Sequence, residues 1–312
     1  MRNFFLSFPI SKSSTQLTFG DKVLFLGSCF SDEMARKATY YGLNAFTNPF
    51  GTIFHPIPLG RFILDTINGN FKERSFQNQS EFYSWDASTI ISSKTEMELH
   101  EKITEIRKEW LVHLSTCNVL FITFGTSWGY WKNEIVVANC HKRPSNEFSK
   151  QLSSSEDIAA HYRVLIAALK KCNPSLKIIF TVSPVRHLRD GLIENNQSKS
   201  ILIEAIRQLT KLNDVQYFPS YEIIIDELRD YRFFSKDFVH PSQEAIDYVW
   251  ERMIDVFCSE STKTLMKKIG SYRKLVEHRP INMSEEQKSQ HKTRISNSRA
   301  ELIKENPQIV LE

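Results

Sequence analysis

Two short stretches of this chain hold residues whose types and spacing fit covalent catalysis. In Leu24-Phe25-Leu26-Gly27-Ser28-Cys29-Phe30-Ser31, a hydroxyl and a thiol sit side by side at a glycine turn. In Ser235-Lys236-Asp237-Phe238-Val239-His240-Pro241-Ser242, a carboxylate precedes an imidazole by three residues. Acyl transfer needs a nucleophile, a base to take its proton, and a group that orients the base and steadies its charged form. Ser28 or Cys29 would be the nucleophile, His240 the base and Asp237 the orienter. Each stretch also has a plainer reading: Ser28 and Cys29 as a helix start with a buried thiol, and Asp237 as a turn cap beside a satisfied loop histidine.

These residues need elements to hold them, and the hydrophobic pattern supplies them. Five apolar runs, Val23–Leu26, Leu43–Phe46, Val119–Phe124, Leu176–Val182 and Val215–Phe218, read as strands covered on both faces. Between them the spacing predicts helices over Ser31–Tyr41, Glu96–Leu114, Ser155–Cys172, Lys199–Leu212 and Ser242–Val256. Strands alternating with helices define an α/β chain with a doubly wound parallel sheet. In such sheets ligands bind at the carboxyl ends of strands, where Gly27-Ser28-Cys29 falls. Asn68–Ser93 and Gly125–Lys150 are too long for simple connections and read as excursions near the site.

At 312 residues, 41% hydrophobic and 24% charged, the chain has the composition of a soluble protein with one principal domain. That domain is expected over 1–258, followed by a polar, helical or partly disordered extension over 259–312. A balance of 40 basic and 36 acidic residues, +4 net, gives no concentrated basic surface for nucleic acid. Cys29, Cys117, Cys140, Cys172 and Cys258 are odd in number and show no paired metal-ligand spacing, which fits a reducing compartment and no bound metal. Met1–Ile10 is too short an apolar run for a signal peptide, and no run approaches the roughly 20 residues that span a bilayer. A cytoplasmic protein without a membrane span is the expectation; oligomeric state is left open.

Several longer motifs stand in order: Gly27-Ser28-Cys29-Phe30, Asn48-Pro49-Phe50-Gly51-Thr52, Thr123-Phe124-Gly125-Thr126, Val137-Ala138-Asn139-Cys140-His141-Lys142, Thr181-Val182-Ser183-Pro184-Val185-Arg186-His187, and Leu228-Arg229-Asp230-Tyr231-Arg232-Phe233 ahead of Asp237-Phe238-Val239-His240-Pro241. With these the chain resembles the GSCFA-domain proteins, a bacterial group similar to the SGNH/GDSL hydrolases, over roughly Phe4 to Phe257. It departs in having Ser31 for the motif's Ala, and no His-Ser pair at Trp85-Asp86-Ala87-Ser88. The resemblance implies a flavodoxin-like three-layer α/β/α fold with a five-stranded parallel sheet. It puts Cys29 in the nucleophile's place, Gly51 and Ser127 (after Gly125) in the oxyanion-binding places, and Asp237 and His240 in the last block.

The function so implied is an esterase, deacetylase or acyltransferase acting on a small-molecule or glycan acyl ester, without a cofactor. The alternative is a protein that binds a glycan or acylated ligand on the same fold without turnover. Asn48 and His187 join the expected substrate-binding set, and Arg186 is placed to hold a carboxylate or phosphate, as in a phosphodiesterase, or to form a surface salt bridge. His55 is expected to stabilise the Gly51 loop. Trp128, Tyr130 and Trp131 are expected to form an aromatic rim for a sugar or acyl group.

Overall fold

The computed structural model describes residues 6–69, 74–278 and 284–311. The first five residues of the N-terminal run, 70–73 of the first excursion, and Arg279-Pro280 of the extension lie outside the described residues.

The five apolar runs form one parallel sheet: β1 (Lys22–Gly27), β2 (Asn44–Thr47), β3 (Val119–Phe124), β4 (Lys177–Val182) and β5 (Val215–Tyr217), in the order β2-β1-β3-β4-β5. This is the flavodoxin-like order, with its topological switch between β1 and β3. Side chains alternate across the sheet. Leu24, Leu26, Leu120, Ile122, Ile178 and Phe180 face one core; Val23, Phe25, Val119, Phe121 and Ile179 face the other.

The first core is covered by α2 (Pro56–Asn68), α3 (Glu96–Thr116), α4 (Ser155–Cys172) and α5 (Leu192–Leu209) through residues such as Phe62, Ile103, Leu165 and Leu202. The second is covered by α1 (Cys29–Tyr40), α6 (Gln243–Phe257) and α7 (Glu260–Glu277) through Met34, Trp250 and Ile269. The three-layer α/β/α fold expected from the sequence is the fold observed.

The extension forms α7 and α8 (Glu285–Glu305), and its few apolar residues pack rather than trail. Leu265, Met266, Ile269, Tyr272, Leu302 and Ile309 are buried in the same core as Val23 and Phe25, and the Val310 N–H donates to the Gly42 carbonyl at 3.0 Å. Burying a large apolar side chain contributes about 1.5–3 kcal/mol, so these six anchor the tail to the sheet. Among the described residues no helix is long and apolar enough to cross a membrane.

Both excursions fold as small antiparallel sheets. One joins Ser75–Asn78, Glu81–Ser84 and Ser92–Ser93; the other joins Ile135–Val136, Trp128–Lys132 and Ser149–Leu152. Asp86, at the departure from the family motif, is buried between Arg61 (2.8 Å) and Arg74 (2.6 Å), a structural ion pair.

Candidate functional site

The turn after β1 begins with Gly27. Its φ of +126° suits glycine, and a Cβ there would lie 2.1 Å from the Thr123 carbonyl oxygen. The Gly27 N–H donates to Asn48 Oδ1 (2.8 Å), while Asn48 Nδ2 donates to Asp32 Oδ1 (2.8 Å). Asn48 thus braces the turn from β2, with both ends of its amide engaged.

The helix starts at Cys29, two residues before the predicted Ser31, because Ser28 is its N-cap. The Ser28 hydroxyl accepts the Phe30 N–H at 3.3 Å and the residue is 1% exposed. Ser31 instead points inward, donating to the Leu26 carbonyl and meeting Thr123 Oγ1 at 2.8 Å. Of the two nucleophile candidates, Ser28 is sealed under the turn. Cys29 is half-buried and lines an open cleft.

Burial pushes the Cys29 thiol up from its ordinary value, and the Asp32 carboxylate adds to this. The N–H groups of Cys29 and Phe30 and the charge of Lys199 act the other way. A thiol at a helix N-terminus gains from those N–H groups when it ionises, but here burial dominates. Cys29 rests as a thiol and needs a base.

A candidate base, His240, lines the same cleft, about 380 Å³ in volume, together with Cys29, Val185, Ser235 and neighbours. Asp237 builds the loop that presents His240. Its Oδ1 accepts the N–H groups of Val239 (2.9 Å) and His240 (3.1 Å), and its Oδ2 accepts Nδ1–H of His240 at 2.7 Å. The His240 imidazole and the two N–H groups hold the carboxyl down to about 2. Phe238 takes a left-handed φ of +57°, which lets the loop double back so that the Ser235 N–H reaches the His240 carbonyl at 2.7 Å.

Arg186 secures this loop from β4. Its N–H donates to the Val239 carbonyl (3.1 Å), its Nη1 donates to the Phe238 carbonyl (3.0 Å), and its guanidinium lies 3.8 Å from the Phe234 ring centroid. Its backbone N–H, its Nη1 and one face of its guanidinium thus serve the His240 loop, and among the described residues it forms no ion pair.

The expected oxyanion donors are occupied. The Gly51 N–H closes a turn onto the Asn48 carbonyl (2.9 Å), and at φ +72° a Cβ would sit 2.0 Å from Ser88 Oγ; this glycine is there for close packing. Ser127 is fully buried, with its hydroxyl 3.1 Å from Ser198 Oγ and its N–H donating there at 2.7 Å. Gly125 donates to the Phe54 carbonyl at 2.8 Å. His55 caps α2 through Nδ1 and donates from Nε2 to the Ser127 carbonyl (3.2 Å), so its hydrogen bonds tie the α2 start to the Ser127 turn and not to the Gly51 turn; burial holds it neutral, at about 3. His187, held at about 3 by burial and then by the charges of Lys199 and His240, walls a second cavity instead of the Cys29 cleft.

One residue escaped the sequence reading. Gly27, Thr123 and Thr181 are aligned across β1, β3 and β4, and two residues beyond them lie Cys29, Gly125 and Ser183. Lys199, 1% exposed, donates from Nζ to the carbonyls of Gly125 (2.6 Å) and Ser183 (2.8 Å), near enough to Cys29 for the two to interact through charge. Burial lowers it to about 7, opposed by Cys29. The predicted helix began at Lys199, which would have left it at an exposed end; α5 in fact begins at Leu192 and turns Lys199 onto the sheet. Its spacing with Asn195, Ser198 and Leu202 was the available signal, a polar continuation of the buried stripe.

Trp128 and Tyr130 line the second cavity, but Trp131, on the opposite side of the same strand, does not. Among the described residues no three His, Cys, Asp or Glu side chains stand together as metal ligands.

A parallel α/β/α protein of flavodoxin-like order, with a thiol and a carboxylate-held imidazole sharing a cleft at its switch point, is the class that fold and site define. The GSCFA family model matches residues 22–253, and the chain belongs to the GSCFA family. No curated protein matches it. Among solved structures, the chain is similar to a carbohydrate esterase family 3 protein from Talaromyces cellulolyticus at 10% identity and a TM-score of 0.35, covering 79% of this chain and 98% of that one.

Proposed function

We propose that this protein is a hydrolase of acyl esters, an esterase or deacetylase, or an acyltransferase to a second hydroxyl, of the SGNH/GDSL-like kind. Cys29 is its nucleophile, His240 its base and Asp237 the orienter. The observation that carries this reading is that Cys29 and His240 line one cleft while Asp237 already holds His240 by Nδ1. That bond leaves Nε2 to take the thiol proton.

In the reaction the Cys29 sulfur attacks the ester carbonyl carbon as His240 takes its proton. The tetrahedral intermediate collapses, the alcohol leaves with that proton, and a thioester remains on Cys29. Water, or an acceptor hydroxyl deprotonated by His240, then attacks the thioester and regenerates the thiol. With Gly51 and Ser127 committed elsewhere, the oxyanion rests on the Cys29 N–H in the first turn of α1 and on the positive end of that helix. Lys199 is a positioning residue, its charge favouring the thiolate from beneath the site. This chemistry calls for no cofactor.

Ligand binding without turnover is the second reading, favoured by the committed state of Gly51 and Ser127. A screen of short acyl esters and acetylated sugars separates the two, with Cys29→Ala, Ser28→Ala and His240→Ala beside the parent. Turnover lost in Cys29→Ala and His240→Ala but kept in Ser28→Ala supports the enzyme; no turnover by the parent, or turnover indifferent to His240→Ala, overturns it.

A further inference from the structure

A second cavity of about 450 Å³ shares no lining residue with the Cys29 cleft. The same segment after β4 walls both: Val185 faces the cleft, and His187, two residues on, faces the cavity. Its volume falls within the roughly 300–1,000 Å³ typical of small-molecule sites.

The lining combines two kinds of chemistry. Trp128 and Tyr130 present aromatic surface from one side of their strand, above a floor that includes Val137 and Phe54. Around them stand three cations, Lys142, Arg143 and Arg189, against one carboxylate, Asp190. Asp190 is already paired with Lys150 at 2.7 Å, and Arg143 with Glu147 at 2.7 Å. Among the described residues Lys142 and Arg189 form no ion pair; the Arg189 guanidinium lies 5.7 Å from the Tyr130 ring centroid. The cavity therefore carries uncompensated positive charge next to stacking surface.

The loop that supplies Lys142 is held in a costly shape. His141 and Lys142 are consecutive non-glycine residues with φ of +50° and +58°, and left-handed residues of this kind cost about 1–3 kcal/mol each. The conformation is fixed by the His141 N–H donating to Asn139 Oδ1 (2.7 Å) and by His141 Nε2 donating to the Ser84 carbonyl (2.9 Å). Asn139 Oδ1 also receives the Thr89 hydroxyl at 3.3 Å. Among the described residues its Nδ2 makes no hydrogen bond, which leaves it a donor for a ligand hydroxyl.

We propose that this cavity binds an anionic saccharide unit, a sugar ring bearing a phosphate or carboxylate. The ring lies on Trp128 and Tyr130, its hydroxyls meet Asn139, and its negative group meets Lys142 and Arg189. Its place as the alcohol part of the ester, or as the acyl acceptor, rests on the acyl-ester reading; the binding itself does not.

The test is calorimetric titration of the Cys29→Ala protein with glucose 6-phosphate, glucuronate, glucose and inorganic phosphate, repeated in Lys142→Ala, Arg189→Ala and Trp128→Ala. Both anionic sugars should bind at least about tenfold more tightly than glucose, and glucose 6-phosphate at least about tenfold more tightly than inorganic phosphate. Removing either charge should weaken the anionic sugars several-fold, while Trp128→Ala should weaken all three sugars and leave phosphate unchanged. Lys142 is exposed, so its variant keeps the fold, and an unchanged melting temperature verifies this for each variant. Glucose binding as tightly as the anions, phosphate matching glucose 6-phosphate, no binding at all, or anionic sugars indifferent to both charge variants would each overturn the proposal. Because Cys29→Ala cannot turn over, failure here is distinct from failure of the catalytic reading.

Discussion

The Asp237 carboxylate lies 2.7 Å from His240 Nδ1 while its other oxygen takes two backbone N–H groups of the same loop. One side chain therefore shapes the loop and orients the base. Asp237→Asn should keep most of the loop, because an amide oxygen can still accept, but should present an N–H toward the imidazole and favour the wrong tautomer. Activity should fall about 10²–10⁴-fold. The parent carboxyl is held near 2, so its contribution is complete above the ordinary carboxylate range and is lost only as pH falls through about 2. An acid limb near pH 4 in kcat/KM that vanished in Asp237→Asn would contradict this assignment.

Lys199 acts on Cys29 through charge. The ammonium favours the thiolate against burial and Asp32, so removing it should raise the thiol further. Iodoacetamide labelling of Cys29 should then be slower in Lys199→Met than in the parent below about pH 7, where the parent lysine is charged, and the difference should close as pH rises above 7 and the lysine loses its proton. Superimposable profiles for two folded proteins would assign Lys199 a packing role alone.

The same lysine makes a prediction about stability. Folded, it releases its proton near 7; unfolded, it holds it to its ordinary value of 10.5. Between those values the unfolded chain binds the extra proton, so this residue makes stability rise with pH, by up to about 1.4 kcal/mol per pH unit. Urea unfolding of parent and Lys199→Met from pH 7.5 to 9.5 should show the parent gaining on the variant. A constant difference between them would contradict a depressed Lys199.

Gly51 separates packing from oxyanion binding. Gly51→Ala places a methyl against Ser88 Oγ at a positive φ, and should destabilise the fold by about 1–3 kcal/mol. The check is the melting temperature read beside activity. An unchanged melting temperature with activity lost would return Gly51 to the oxyanion site.

What could be read in the sequence follows from how directly each feature depends on local pattern. The three central strands are almost wholly buried and the two edge strands partly so, which makes their apolar runs stand out, and their limits agree with the structure to within a residue at each end. Cys29, Asp237 and His240 were visible because a strand–turn–helix and an Asp-x-x-His loop are local. The role of Ser28 was not, since nothing in the sequence distinguishes it from Ser31 as the cap; Thr123 and Leu26, across the sheet, draw Ser31 inward. Ser127 and Arg186 carry the right groups for their expected roles, but Ser198 and the His240 loop, far along the chain, capture them. Lys199 was hidden by a misplaced helix start, and the polar tail hid six residues that belong to the core.

The central claim is that Cys29 forms an acyl-enzyme with His240 as its base. Mass analysis of intact protein and peptides, quenched at intervals after mixing with p-nitrophenyl acetate, tests this most directly. The account predicts a single acetyl group on the Cys29 peptide, formed at least about 10²-fold more slowly in His240→Ala. Acetyl found on Ser28, or appearing on Cys29 at the same rate in both proteins, would contradict it.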